Sequence, residues 1–310
     1  MASKYVMCAT VCTLVLAPAW PEDASGARLQ QLWTKLDALW KERDDLAWRR
    51  WQALSDLEKA RIIVKHQRQG GPTKEELAAL TEEKAPSILA EFTKKGTDGE
   101  RQLRGFASYT IRSEESRAYQ GRRRAIDEEI VALGEEAVPG LIDEMVREGT
   151  HRFVAREALS RISPVAVPAL LEACEKQQDK PWCAELMEAL AATKDSRARE
   201  ALLRGLEHRW ARVRSAALSG LLGIGTATQE MCLRFLAEED RDSRSVAIRG
   251  LGEIGDVDAV PALMEVARTD PARGKGDFLP LRKAAYDALK KIAERTGAKI
   301  ELPPEEVLRR

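Results

Sequence analysis

The sequence holds little of what reactive chemistry uses. Histidine occurs three times in 310 residues, at His66, His151 and His208, too scattered for a shared metal. Cysteine occurs five times, and two of those, Cys8 and Cys12, lie in the first dozen residues. The remaining three, Cys174, Cys183 and Cys232, form no Cys-x-x-Cys, so a zinc site is excluded as an expectation. Three is also an odd number, which excludes a disulfide framework. A nucleophile elbow, a phosphate-binding loop of the Walker type, a His-Glu-x-x-His helix and a dinucleotide fingerprint are all missing. No catalytic residue, no metal and no cofactor is therefore expected. Net charge is absent as well: 50 basic residues balance 50 acidic ones, which gives no global pull towards nucleic acid or acidic lipid. Past the first twenty residues no apolar run approaches the roughly 20 residues a membrane span requires.

What is present favours helix. Hydrophobic residues make up 44% and charged residues 32%, while aromatics reach only 5%. Such a composition, rich in Ala, Leu, Glu and Arg, builds amphipathic helices rather than sheets. The length suits one extended array or about two compact domains.

The N-terminus reads as a leader. Lys4 precedes an uncharged apolar stretch, Tyr5 to Leu16, and Ala17-Pro18-Ala19 has the small-x-small form of a signal-peptidase site. The expectation is a signal peptide over 1–19 and a mature protein that is periplasmic or secreted. The alternative is an N-terminal helix that stays in the chain.

Self-similarity carries the fold. Residues 135–149 (EEAVPGLIDEMVREG), 166–173 (AVPALLEA) and 259–266 (AVPALMEV) repeat one pattern, with degenerate copies at 199–206 and 230–237. Their alignment gives a leucine column at Leu141, Leu170, Leu202, Leu233 and Leu263, in steps of 29, 32, 31 and 30 residues. A period near 30 indicates a helical solenoid. A second helix follows in each unit, with aliphatic positions Ile162, Leu190, Leu221, Leu251 and Leu289 and small ones at Ala158, Ala217, Ala247 and Ala285. Three residues further on come Val165, Thr193, Ile224, Ile254 and Ile292, which the spacing places on the same buried face. Each unit is thus an A helix followed by a B helix, and neither buries its stripe without the next unit.

These strings resemble the HEAT repeat family, and in particular its HEAT-like subgroup named after phycobilin lyases. The motifs are Ala259-Val260-Pro261-Ala262-Leu263, Val213-Arg214-Ser215-Ala216-Ala217 and Leu251-Gly252-Glu253-Ile254-Gly255, and the resemblance spans about 126–293. It implies an all-α fold, an α-solenoid wound as a right-handed superhelix with B helices on the concave side, and no single activity. In the second repeat Trp182-Cys183 stands in place of Val-Arg, and the fifth carries an insertion at 271–280.

The N-terminal half is less regular. Residues 27–69 read as one long charged helix with a stripe at Leu29, Leu32, Trp33, Leu36, Leu39 and Trp40, interrupted by Arg43 and Arg50. Gly70-Gly71-Pro72 stops it, and Thr73 to Glu76 is a capping box for the next helix. Trp48 and Trp51 are expected in a core. Residues 82–96 echo 135–149 as a divergent first repeat, with its B helix expected near Ile130 and Leu133 and an Arg-rich insertion between. The organisation expected is a leader (1–19), a long amphipathic helix (20–72), a divergent repeat (73–125), the array (126–296) and a tail (297–310).

The function expected is a non-catalytic scaffold that binds another protein. Its candidate surface is the row on the B-helix faces expected to be concave, Arg156, Glu188, Ser219, Arg249, Lys283 and Asp287, mixed in sign and without an aromatic. Arg214, Arg244 and Arg282 share another column and read as a structural ladder, each bonded to an acid or carbonyl of the adjacent unit. A lyase or chaperone-like factor of the phycobilin-lyase type is the first alternative. Nucleic-acid binding, through the arginines of 101–124, is the second and requires the leader to remain; otherwise those arginines form a solvated face with Glu–Arg pairs. Cys174 and Cys183 flank one A–B turn, where they either form a disulfide or pack as two buried thiols.

Overall fold

The computed structural model describes residues 24–67, 73–147, 149–177, 180, 183–270 and 281–304. The expected leader at 1–19, the insertion at 271–280 and the last residues of the tail, 305–310, lie outside the described residues. Among the described residues there are sixteen α-helices and no strand. The chain divides into two compact units between Glu129 and Ile130.

The first unit begins with α1 (Ala24–Ala53), then α2 (Asp56–Gln67), α3 (Lys74–Ala78), α4 (Ala85–Thr93), α5 (Gly96–Ala107) and α6 (Ser113–Ala132), whose last turn crosses the division. The α1 stripe is buried as its spacing predicts at Leu29, Leu32, Trp33, Leu36 and Leu39, while Trp40, at its edge, is half-buried. On α1's polar side, Arg28 and Lys35 meet Glu129, Glu42 meets Arg122 and Arg50 meets Glu115, so α6 runs antiparallel to α1. The helix expected over 27–69 is two helices. Ser55 ends the first by capping the second: its N–H donates to the Glu58 carboxylate (2.8 Å) and Glu58 N–H donates to Ser55 Oγ (3.3 Å). Behind this bend Trp51, Ile63, Phe92 and Ala107 form a core, with Trp48 half-buried at its edge. The expected capping box from Thr73 to Glu76 is present at α3.

Pairing in this unit differs from the expectation in one respect. The helix that follows and packs on α4 is α5, inside the stretch read as an insertion. Gly99 allows this: a Cβ there would lie 1.7 Å from the Phe92 carbonyl oxygen. Phe106 of α5 then reaches the Phe92 ring edge-on at 5.9 Å.

The second unit holds five helix pairs: α7 (Val138–Val146) with α8 (Arg152–Ile162), α9 (Ala166–Lys176) with α10 (Cys183–Ala192), α11 (Arg199–Gly205) with α12 (Ala211–Gly223), α13 (Gln229–Leu236) with α14 (Arg241–Ile254), and α15 (Val260–Thr269) with α16 (Leu281–Thr296). The B helices α8, α10, α12, α14 and α16 pack each on the next, as a HEAT α-solenoid requires. Pro139 and Pro261 sit in the first turns of α7 and α15, where a missing N–H costs nothing. Gly225 adopts φ +71° just after α12, a left-handed conformation that glycine accepts without a Cβ clash.

Two columns are corrected. In the fourth A helix the buried position is Cys232, not Leu233, which is only half-buried. Gly220 packs on Leu202, where a Cβ would come within 2.7 Å of Cδ2, and Gly250, 30 residues on, packs on Cys232, where a Cβ would lie 2.7 Å from Sγ. The pair Leu202/Gly220 is thus repeated as Cys232/Gly250, and matching Leu to Leu slips the register by one residue. The second correction concerns the positions three residues past the B-helix aliphatics. Val165 is 45% exposed and Ile254 42%, because α8 and α14 end there and the chain leaves the helical path. Only Ile292 is fully buried, since α16 continues to Thr296.

Candidate functional site

The arginine ladder comes from B-helix first turns aimed at the ends of neighbouring A helices. Arg214 donates through Nε (3.0 Å) and Nη2 (2.8 Å) to the Glu238 carboxylate, just past α13, and through Nη1 to the His208 and Arg209 carbonyls. That bidentate bond to Glu238 holds the Arg214 pKa above its ordinary value. Arg244 pairs with the fully buried Asp270 carboxylate at the end of α15, and Arg282 donates from Nε to the Asp270 carbonyl (2.7 Å). Burial pulls the Arg244 pKa down. A further series ties A helices together, Arg204 to Glu175 (3.2 Å) and Arg234 to Glu207 (2.7 Å). Arg214 and Arg244 thus reach an acid of the adjacent unit, as the structural reading of the ladder expects, whereas Arg282 bonds a carbonyl of its own α15–α16 pair.

The expected surface row lies across the B-helix layer. Arg156 of α8 pairs with Glu188 of α10. The other Glu188 oxygen accepts from Arg212 Nε of α12 (2.8 Å), and Arg212 Nη1 donates to Glu185 (2.7 Å). Burial lowers the Arg212 pKa, but its bonds to the two glutamates outweigh this and leave it raised. Arg249 of α14 donates from Nη2 to Ser219 Oγ of α12 (2.9 Å). Lys283 and Asp287 pair with each other on α16. Arg156, Glu188, Ser219 and Arg249 are therefore brought into direct contacts, while Lys283 and Asp287 form their own local pair.

The sequence reading missed three members of this surface. Arg212 and Glu185 join the row, and Phe153 gives it an aromatic: the ring is 38% exposed and lies beneath the guanidinium carbons of Arg152 (5.5 Å) and Arg156 (5.2 Å). Extending each named position by three or seven residues along its helix finds all three, since 153 precedes 156, 185 precedes 188 and 212 precedes 219 on the same faces.

The arginines of α5 and α6 are largely paired. Arg101 meets Asp98 (3.2 Å), Arg122 meets Glu42 (2.7 Å) and Arg123 meets Asp127 (3.4 Å). Arg104 meets Glu100 (3.0 Å) and lies over the Trp48 ring at 4.5 Å. Cys174, Cys183 and Cys232 are buried thiols. Burial, with Cys183 and Glu175 nearby, pushes the Cys174 thiol up to about 12. Among the described residues no group of His, Cys, Asp and Glu is placed to hold a metal ion, and no helix is long and apolar enough to cross a membrane.

Arg214 and Arg244 of the ladder and the Gly220/Gly250 packing all fall between the start of α11 and the end of α15. Residues 212–276 match the HEAT repeats family. That segment contains α12 from its second residue, α13 to α15 and all three quoted motifs. HEAT repeats imply a scaffold that binds protein. No curated protein matches the chain.

Proposed function

We propose that the chain is a non-catalytic protein-interaction scaffold of the cell envelope or secreted space, and that the B-helix row of its second unit receives the partner. One observation carries this reading: Arg156, Glu188 and Arg212 form a continuous charged chain over three successive B helices, α8, α10 and α12. Side chains fixed across repeats make a preorganised surface, which lowers the cost of ordering on binding. The same locking favours a scaffold over a lyase. Both Glu188 oxygens accept from guanidiniums, Arg156 on one and Arg212 on the other, as a tie between repeats does. Export is supported by the Lys4, apolar run and Ala17-Pro18-Ala19 pattern.

The test uses native extracts. Full-length protein is followed by immunoblot through size exclusion, and the envelope or secreted fraction is expected to contain it in a complex larger than 34.5 kDa. The exposed charge reversal Arg249→Glu should return it to the monomer position with unchanged circular dichroism. A wild-type protein that elutes as a monomer, or a variant still in the complex, contradicts this use of the face. The mature N-terminus is expected after Ala19; recovery of peptides from Met1 to Lys4 in the native protein contradicts export.

A further inference from the structure

The hydrogen-bond inventory of the B-helix row is lopsided. Its glutamates are bonded internally and turned from solvent: Glu188, 23% exposed, accepts from Arg156 on one oxygen and from Arg212 on the other, and Glu185, 14% exposed, accepts from Arg212, itself 54% exposed. Its arginines keep donors for a partner. Arg156 uses only Nη1 in these bonds, Arg212 uses Nε and Nη1, and Arg249 uses only Nη2, on a neutral serine hydroxyl. Guanidinium carries five N–H donors and no acceptor. A row that is mixed in sign by residue type is thus a row of donors in what it leaves for a partner. At one end stands Phe153, an exposed ring flanked by Arg152 and Arg156. Aromatic and arginine side chains are the groups that dominate binding energy at protein interfaces.

Resting on the scaffold reading above, we infer that this face binds an extended acidic protein segment whose carboxylates recur about every third residue, with an aliphatic side chain seated on Phe153. Spacing sets the period. Packed helices stand about 8–10 Å apart and an extended chain advances about 3.3 Å per residue, so each step from one B helix to the next takes about three residues. Arg156, Arg212 and Arg249 lie on α8, α12 and α14, two steps and then one step apart. Carboxylates are the matching partners because a guanidinium meets them with two parallel bonds. The intramolecular glutamates hold Arg156 and Arg212 in place without occupying their outer N–H groups.

The probe is the fluorescein-labelled peptide (Glu-Leu-Ser)4, measured by anisotropy against the full-length protein. Three comparison probes are (Lys-Leu-Ser)4, a peptide of the same composition with its four glutamates in one block, and a heparin octasaccharide. The inference expects the first peptide to bind at least tenfold more tightly than each of the others. Phe153→Ala and Arg249→Ala, both at exposed side chains, should each weaken it at least fivefold. Arg117→Ala, on α6 in the first unit, should leave it unchanged. Equal binding of the blocked peptide or of heparin overturns the inference in favour of a general polyanion surface. Absence of binding by any peptide overturns it too. If Arg249→Glu still dissolves the native complex while no acidic peptide binds, the scaffold reading stands and the partner chemistry alone fails.

Discussion

The two units solve the same problem, burying amphipathic helices, over different stretches of chain. In the second unit side-chain links between helices span about one repeat: Arg234 to Glu207 covers 27 residues, Arg204 to Glu175 covers 29, Arg249 to Ser219 covers 30 and Arg156 to Glu188 covers 32. In the first unit Arg50 to Glu115 covers 65, Arg122 to Glu42 covers 80 and Arg28 to Glu129 covers 101. A repeat array needs each stretch of about 30 residues to fit its neighbours, so its rules recur along the sequence. A unit closed by α1 against α6 must bring distant segments together once, with no second copy to reveal the rule.

The comparison can be broken first through the cores. Phe92→Ala and Trp51→Ala are expected to destabilise the first unit by about 3–5 kcal/mol each, because both rings are buried in a single shared cluster. Urea unfolding measures this, and a loss near zero would mean that the cluster around the α1–α2 bend is not formed.

Leucine truncations in the array sharpen the register. Leu202, Leu221 and Leu251 are fully buried, so each change to alanine should cost about 2–5 kcal/mol. Leu233→Ala, at a half-buried position, should cost about 1 kcal/mol. Equal losses at Leu202 and Leu233 would restore the column that matches leucine to leucine and contradict the placement of Cys232 beneath Gly250.

This contrast explains how much was legible in advance. The array could be read because Leu141, Leu170, Leu202 and Leu263 recur at a period near 30, three of them with a proline two residues before, and all four are buried. It failed by one residue where Cys232, a small buried hydrophobe, stands in for leucine and a true leucine sits beside it. Exposure of Val165 and Ile254 was hidden because helical spacing holds only while the helix lasts, and Ser163 and Gly255 end it. In the first unit Ser55 and Glu58 carried a capping signal inside an apparently continuous helix. The candidate surface was legible as positions but not as chemistry: Arg156, Glu188 and Arg249 were named from the repeat, whereas the pairing that ties them to their neighbours depends on residues across helices.

Smaller effects follow at the bend and at the thiols. Ser55→Ala removes the cap of α2 and should cost about 1 kcal/mol, while Ser55→Asp should retain most of the stability; equal losses would show that the cap is not what ends α1. The Cys174 thiol has a folded pKa raised from 9.0 to about 12. Its protonated form is favoured by folding, so the contribution is constant below about pH 9 and is lost as pH rises towards 12. Wild type should therefore lose more stability than Cys174→Ala between pH 7 and pH 10.5, as read from urea midpoints. Identical losses would place the thiol in solvent.

The most direct test of the account is site-specific photocross-linking in living cells. A benzoylphenylalanine replaces Arg249 on the B-helix row, or Glu200 on the A helix α11, whose side chain is 72% exposed. The account predicts one discrete cross-linked protein from position 249 and none from position 200. Cross-links from position 200 with none from position 249 would contradict it and move the binding surface to the A helices.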